Sequence, residues 1–198
     1  MHRTDTSTPT RRRRRADACH NDECLLTAAT AAFTEHGPAA SLDDIARRAG
    51  VGIGTLYRHF PTRQALVEAV YRSHIDALSA EAEGLLGAPV PGDALAAWLR
   101  SVLAHNVTQR CLKEALMNEG GSEVHASCKP RMVAAGAALL ARAQQAGAVR
   151  PGLDISDLLR LVYAIALATE KAPDGAGQAE RLLALMLDGL RHSERMAG

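Results

Sequence analysis

The residues best suited to chemistry lie together between Ser41 and Arg63, in the run SLDDIARRAGVGIGTLYRHFPTR. Thr55, Tyr57, Arg58 and His59 offer two hydroxyls, a guanidinium and an imidazole within one short stretch. Such a set makes hydrogen bonds and ion pairs to phosphates and base edges. Bond-making machinery is not expected beside it. The chain has no nucleophile elbow, no H-E-x-x-H pair, no phosphate loop in context and no close carboxylate pair on an apolar face. Gly50-Val51-Gly52-Ile53-Gly54 has the look of a nucleotide loop, but such a loop follows a strand, and here a polar, capped helix precedes it. Cys19, His20, Cys24 and His36 raise the question of a metal. His20 and Cys24 share a helix face, yet no second pair has ligand spacing. Neither a cofactor nor a metal is expected.

The elements that must position the polar set are short and well marked. Ser41 is an N-cap, with Asp43 and Asp44 in the first turn where the helix dipole favours negative charge. Leu42, Ile45 and Ala49 share one face, and Gly50 ends the helix at the position that favours a left-handed backbone. Ala46 is small where a second helix, about Ile53–His59, must cross, and Val51 and Leu56 fill the gap between the two. Gly50 four residues after Ala46, and Leu56 six after Gly50, is the spacing of a helix-turn-helix DNA reader.

From Leu42 through Tyr57-Arg58-His59-Phe60 to Arg63 and Leu66, the chain resembles the N-terminal domain of the tetracycline-repressor (TetR) family of one-component transcription regulators. The resemblance covers about Leu25 to Leu66, and beyond that extends to length and helix order. It implies an all-α fold of about nine helices: a three-helix DNA-binding domain, then a C-terminal helical domain for effector binding and dimerisation. The expected units are a disordered basic arm over 1–15, the helix-turn-helix domain over 16–65 and the second domain over 66–198. Ser41, Tyr57, His59 and Arg63 are expected to lean towards phosphates. Ile53, Gly54 and Thr55 should lie nearest base edges, because the N-terminal part of a reader helix enters the groove. Arg58 could do either. The family usually has Lys where Arg63 stands, and Arg keeps the charge. Repression is adopted from the family habit.

Composition agrees with helices. Hydrophobic residues make up 47% of the 198, but six in all are aromatic, so Leu, Ala, Val and Ile must build the core. The net charge of +1 hides an asymmetry, since residues 1–72 carry eleven Arg against eight acids. That places the basic excess with the DNA motif. No apolar run is long enough for a membrane span and no signal-peptide core follows the N-terminal arginines, so the expectation is a cytoplasmic protein with no membrane partner. The four cysteines then stay reduced.

Along the chain, Arg11–Arg15 reads as a solubilising tail or as an arm reaching phosphates or the minor groove. Helices are expected over about Ala16–His36, Pro61–Gly84, Asp93–Thr108, Gln109–Asn118, Ser127–Gln145, Asp154–Lys171 and Gly175–His192. The one starting at Pro61 should connect the two domains. Gly84–Gly92, with Pro89 and Pro91, is a break. The last two helices are apolar around most of their circumference, which means burial on two sides. Leu158, Val162, Ile165, Leu183, Met186, Leu187 and Leu190 are therefore expected at a homodimer interface, as the resemblance also implies, with ordinary central core helices as the alternative. A dimer would present two reader helices to successive major grooves of a palindromic double-stranded DNA operator.

Regulation is expected from an unknown small-molecule effector in the second domain. Its candidate lining is Trp98, Leu99, Val102, His105, Asn106, Met117, Met132 and Tyr163, although for each of these plain core packing is the reading the sequence favours over ligand contact. Two alternatives remain at this point. Cys111 and Cys128 could form a thiol or metal trigger with His105 or His125, and a sequence-tolerant nucleoid-type binder would account for the arginine run.

Overall fold

Apolar residues at spacings of three and four close into eight α-helices among the residues described in a computed structural model, which are 9–108 and 122–191. They are α1 (Pro9–His36), α2 (Leu42–Arg48), α3 (Ile53–His59), α4 (Arg63–Leu85), α5 (Pro91–Thr108), α6 (Ser122–Gln145), α7 (Ile155–Thr169) and α8 (Gly175–Leu190). A 3-10 turn, Gly37–Ala39, joins α1 to α2. Among the described residues, extended pairing is limited to an antiparallel bridge between Val149 and Arg191. No helix among them is long and apolar enough to cross a membrane. The helix expected over 109–118, with Cys111 and Met117, lies outside the described residues.

Several helices start earlier or later than sequence signals suggest. Helix α1 begins at Pro9, so Arg11–Arg15 lie on its first turns rather than in a disordered arm. Proline suits a first helical position and arginine is a good helix former, which together outweigh the like-charge run. Residues 1–8 of that expected arm are outside the description. Helix α4 begins at Arg63, because the Thr62 hydroxyl accepts the Ala65 N–H at 3.0 Å and so caps it. Helix α5 begins at Pro91, inside the expected break, again with proline at the first position.

Two buried apolar clusters organise these helices. The first joins Leu25, Ala29 and Phe33 of α1, Ile45 of α2, Leu56 of α3, and Leu66, Val67 and Val70 of α4. The second gathers Trp98 and Leu99 of α5, Leu139 and Ala143 of α6, Leu158 and Val162 of α7, and Leu183 and Leu190 of α8. Helix α4 belongs to both, through Val67–Ile75 at one end and Leu78–Ala82 at the other. It is therefore a mechanical connector. Helix α6 is a second one. Its Cys128 is buried in the first cluster, its Leu139 and Leu140 in the second, and Met132 packs against both.

The second cluster is locked around Trp98. The indole N–H donates to the Leu78 carbonyl at 2.9 Å, satisfying the polar atom of a side chain that is otherwise fully buried. Gly136 of α6 lies on the same ring. A Cβ there would come 2.5 Å from two ring carbons, so α6 approaches α5 closely only because that position has no side chain.

Candidate nucleic-acid interface

The frame of the polar set is built from local signals in α2 and its turn. The Ser41 hydroxyl accepts from the Asp44 N–H at 3.5 Å, and Ser41 itself has the extended backbone of an N-cap. At the other end Gly50 has φ +71°, with its N–H on the Arg47 carbonyl and the Val51 N–H on the Ala46 carbonyl. Those paired bonds form a Schellman ending, which satisfies two carbonyls the helix leaves open. Helix α3 then starts from Gly52, whose carbonyl accepts from both Thr55 and Leu56. Ile45, Ala46 and Leu56 are buried where α2 and α3 cross.

Ionic ties hold this frame against α1. Arg48 pairs with Asp44 at 2.6 Å and with Glu35 of α1 at 2.8 Å, and Arg47 pairs with the other oxygen of Asp44. Partial burial would raise the Asp44 carboxyl, but hydrogen bonds from Arg47 and Arg48 outweigh it and hold the group below its ordinary value.

The eight expected DNA-facing residues divide into two groups. Ser41, Gly54, Tyr57 and Arg58 are exposed, Tyr57 at 48%. Thr55 is partly covered, and its hydroxyl accepts from Arg58 at 3.3 Å. Ile53 packs against the first cluster, so its role is at least partly structural. His59 and Arg63 depart from the expectation. The His59 side chain is 17% exposed and its Nδ1 lies 2.5 Å from an Asp22 carboxylate oxygen of α1. Arg63 donates to the Ala40 carbonyl at 2.6 Å, joining the start of α4 to the residue before the Ser41 cap. Both therefore serve first as internal ties that set the pose of α3. The reason is positional: each stands at a helix end, His59 closing α3 and Arg63 opening α4, beside a chain carrying an acceptor.

Two exposed residues near this surface escaped sequence reasoning. Thr62 caps α4 next to α3, and the Arg47 side chain is 81% exposed. Thr62 was legible as a Ser/Thr residue three before Ala65 on an apolar stripe. The Gly-rich stretch also resolves. The left-handed turn falls to Gly50 alone, while Gly52 and Gly54 have open space where a Cβ would stand. Nothing among the described residues requires a glycine at either.

The expected effector and interface residues are redistributed as well. Trp98, Leu99 and Val102 are buried core, whereas Tyr163 is 42% exposed on α7. His105, Asn106 and Met132 are partly covered. Asn106 lines a cavity of about 260 Å³ with Ala166, Thr169 and Gly175. A larger cavity of about 490 Å³, between the start of α5 and the end of α8, holds none of the expected lining residues. Of the expected interface residues, Leu158, Val162, Leu183 and Leu190 are buried in the chain's own second cluster, and Ile165, Met186 and Leu187 pack against it. The outward apolar residues are instead Leu161 and Leu167 of α7, both 49% exposed, and Leu185 of α8 at 68%. Periodicity showed that these helices have two apolar sides but not which side turns inward. Cys128 is 5% exposed and near Tyr71, whose hydroxyl burial pushes up to about 12. A thiol in that position is core packing and not an accessible sensor.

A capped helix, a Schellman turn and a second helix with an exposed polar face define a helix-turn-helix DNA-binding protein. The comparisons carry that class to a family. Residues 25–70 match the model of the tetR family of bacterial regulatory proteins, and residues 90–192 match that of the C-terminal domain of SbtR-like transcriptional regulators. The crystal structure of the TetR transcriptional regulator SCO0520 from Streptomyces coelicolor is similar with a TM-score of 0.78 and 39% identity, over 87% of this chain and 99% of that one. The chain belongs to the TetR family of transcriptional regulators, which bind DNA and are not enzymes. Shorter matches centre on curated relatives of the same kind. The transcriptional regulator SAR0097 from Staphylococcus aureus is 37% identical over 78 residues, 38% of this chain and 40% of that one. The transcriptional repressor Rv3405c from Mycobacterium tuberculosis is 44% identical over 70 residues, 35% of each chain. The alignments with these two relatives thus span two fifths of their length or less.

Proposed function

We propose that this regulator represses its targets by binding a palindromic DNA operator as a homodimer in the cytoplasm, and that a small-molecule effector releases it. The observation that carries the reading is the split on α3. Leu56 is fully buried and fixes the helix, while Gly54, Tyr57 and Arg58 stand outward with Thr55 beside them. Thr55 and Gly54 are placed for base edges, and Ser41, Tyr57 and Arg58 for phosphates. His59 and Arg63 set the pose of the helix through Asp22 and Ala40. The functional units we assign are a DNA-binding domain over 16–65 and an effector and dimerisation domain over 66–198, with α4 passing between them.

The dimer surface in this reading is the outward face of α7 and α8. Leu161, Ala164, Leu167 and Ala168 share one face of α7 by helical spacing, all exposed, and Leu185 is the most exposed large apolar residue of α8. Two such faces brought together by a two-fold axis bury leucines against alanines. Repression is favoured because Rv3405c, similar over the DNA-reading part, is named a repressor.

The test is selection of bound genomic fragments by the purified full chain at near-physiological salt, with sedimentation of the free protein. Recovery of a few short palindromes by a dimer supports the reading. Uniform recovery of fragments that are lost together as salt rises would replace it with a sequence-tolerant binder.

A further inference from the structure

The junction between the two clusters contains a polar group that the DNA-reading surface does not use. His74 of α4 is partly buried between α1 and α5. Its Nε2 lies 3.2 Å from the Thr30 Oγ1 of α1, and its ring meets the His105 ring of α5 edge to face, with centroids 5.3 Å apart. Its Nδ1 is shielded from solvent and has no hydrogen-bond partner among the described residues. Buried polar atoms are nearly always paired, so this one points to something that binds there.

The hydrogen-bond network fixes what it can bind. The Thr30 hydroxyl has a single proton and donates it to the Leu26 carbonyl at 2.8 Å. Towards His74 its oxygen can therefore only accept, so the imidazole proton sits on Nε2. Burial pushes His74 below its ordinary value, which keeps the ring neutral near pH 7. In a neutral imidazole protonated at Nε2, Nδ1 is a bare lone pair. It accepts and cannot donate.

We propose that His74 Nδ1 is the hydrogen-bond acceptor of the effector site, and that the effector presents a hydroxyl or N–H donor on an otherwise apolar body. This rests on the effector reading above and narrows it to one chemical class. The position suits a trigger. A donor bound at Nδ1 is separated by one imidazole ring from Thr30 on α1, the helix that also carries the Asp22 and Glu35 ties to α3 and α2. Ile75 and Leu78 of the same helix lie buried in the two adjoining clusters, so the surroundings of the ring are apolar. A site that offers a lone acceptor discriminates by leaving it unpaired when an analogue lacks the donor.

The test uses the full chain, with matched pairs of probes that differ only in the donor: cyclohexylmethanol against its methyl ether, and octanol against octyl methyl ether. Binding is followed without DNA by the nitrogen spectrum of ¹⁵N-histidine protein. The wild type should show His74 protonated at Nε2, each alcohol should bind about tenfold more tightly than its ether, and the alcohol should move the Nδ1 resonance. His74→Leu should abolish the preference, and His74→Asn, which keeps a carbonyl acceptor, should retain part of it. Equal binding of alcohol and ether, a preference that survives His74→Leu, or a proton on Nδ1 would each overturn the proposal. The absence of binding by any probe would overturn it too, and would leave a bound water as the partner of Nδ1. If His74→Leu does not fold, the wild-type spectrum decides. Operator release is measured separately, so alcohols that bind at His74 without releasing DNA would sink the release reading and leave the site standing.

Discussion

The two ends of the molecule hold their shape in different ways. At the DNA-reading end the helices are seven residues long in α2 and α3, and their pose depends on caps, a Schellman turn and four ties made by His59, Arg63 and Arg48 to Asp22, Ala40, Glu35 and Asp44. At the other end α5 to α8 are longer and are held by apolar side chains around Trp98. Helices this short are marginal by themselves, so polar contacts at their ends decide where they point. The longer helices are placed by which of their faces is buried.

The largest effect should come from a pair of leucines on one helix. Leu183 is fully buried, and Leu183→Ala should cost about 2–5 kcal/mol in urea unfolding of the full chain. Leu185, two residues on and 68% exposed, should lose at most about 0.5 kcal/mol of the chain's own stability on the same change. Leu185→Glu should keep the helical signal and give monomers by sedimentation. If Leu185→Glu stays a dimer, or if Leu183→Ala costs nothing, the assignment of inner and outer faces is reversed.

A smaller effect is expected at the reading end, where one residue serves two purposes. Arg63→Ala removes the charged donor to the Ala40 carbonyl and should cost about 1.5 kcal/mol, the low end for such a bond. Operator binding should fall as well. Arg63→Lys tells pose from charge: a lysine keeps the charge but is a single point donor, not a planar fork. If Lys restores operator affinity in full, the charge is what the DNA meets. If affinity stays low, Arg63 acts through the Ala40 tie.

The same contrast explains how much could be read beforehand. Ser41, the first-turn aspartates, Gly50, Val51 and Leu56 act through neighbours within a few residues, and each is where the spacing placed it. The outward Tyr57 and Arg58 follow from the same frame. His59, by contrast, turned inward because Asp22 stands opposite on α1, thirty-seven residues earlier, and spacing carries no information about such a pairing. Leu158 and Leu161 differ by one turn on a helix that is apolar on both sides, so pattern alone could not choose between core and surface. For Trp98 the sequence favours packing over a lining role, and Gly136 on its ring shows the packing.

The junction between the two ends should respond to acid. His74 has a lowered pKa through burial, so the unfolded chain binds a proton more readily than the folded one at acidic pH. Stability contributed by the neutral ring is complete above the usual histidine value of about 6.5 and is lost as pH falls below it. The urea midpoint of the wild type should therefore drop more between about pH 7.5 and about pH 5 than that of His74→Gln. Equal slopes would mean that His74 is as well solvated in the fold as in the unfolded chain.

The finest discrimination lies at Gly54, where stability and binding should move in opposite directions. The residue is within α3, has an ordinary helical backbone and meets nothing within 4 Å where a Cβ would stand. Alanine there should leave the fold intact and stabilise it slightly, by at most about 0.5–1 kcal/mol, because glycine gives up more backbone freedom on folding. If the backbone at Gly54 approaches a base edge, the added methyl occupies the space the DNA needs, and operator affinity falls although the protein is more stable. Thermal unfolding and operator titration on the same preparation separate the two effects. Unchanged affinity would move the closest approach away from Gly54, towards Tyr57 and Arg58. A loss of both stability and affinity would mean that the turn before α3, and not its outer face, governs the reading end.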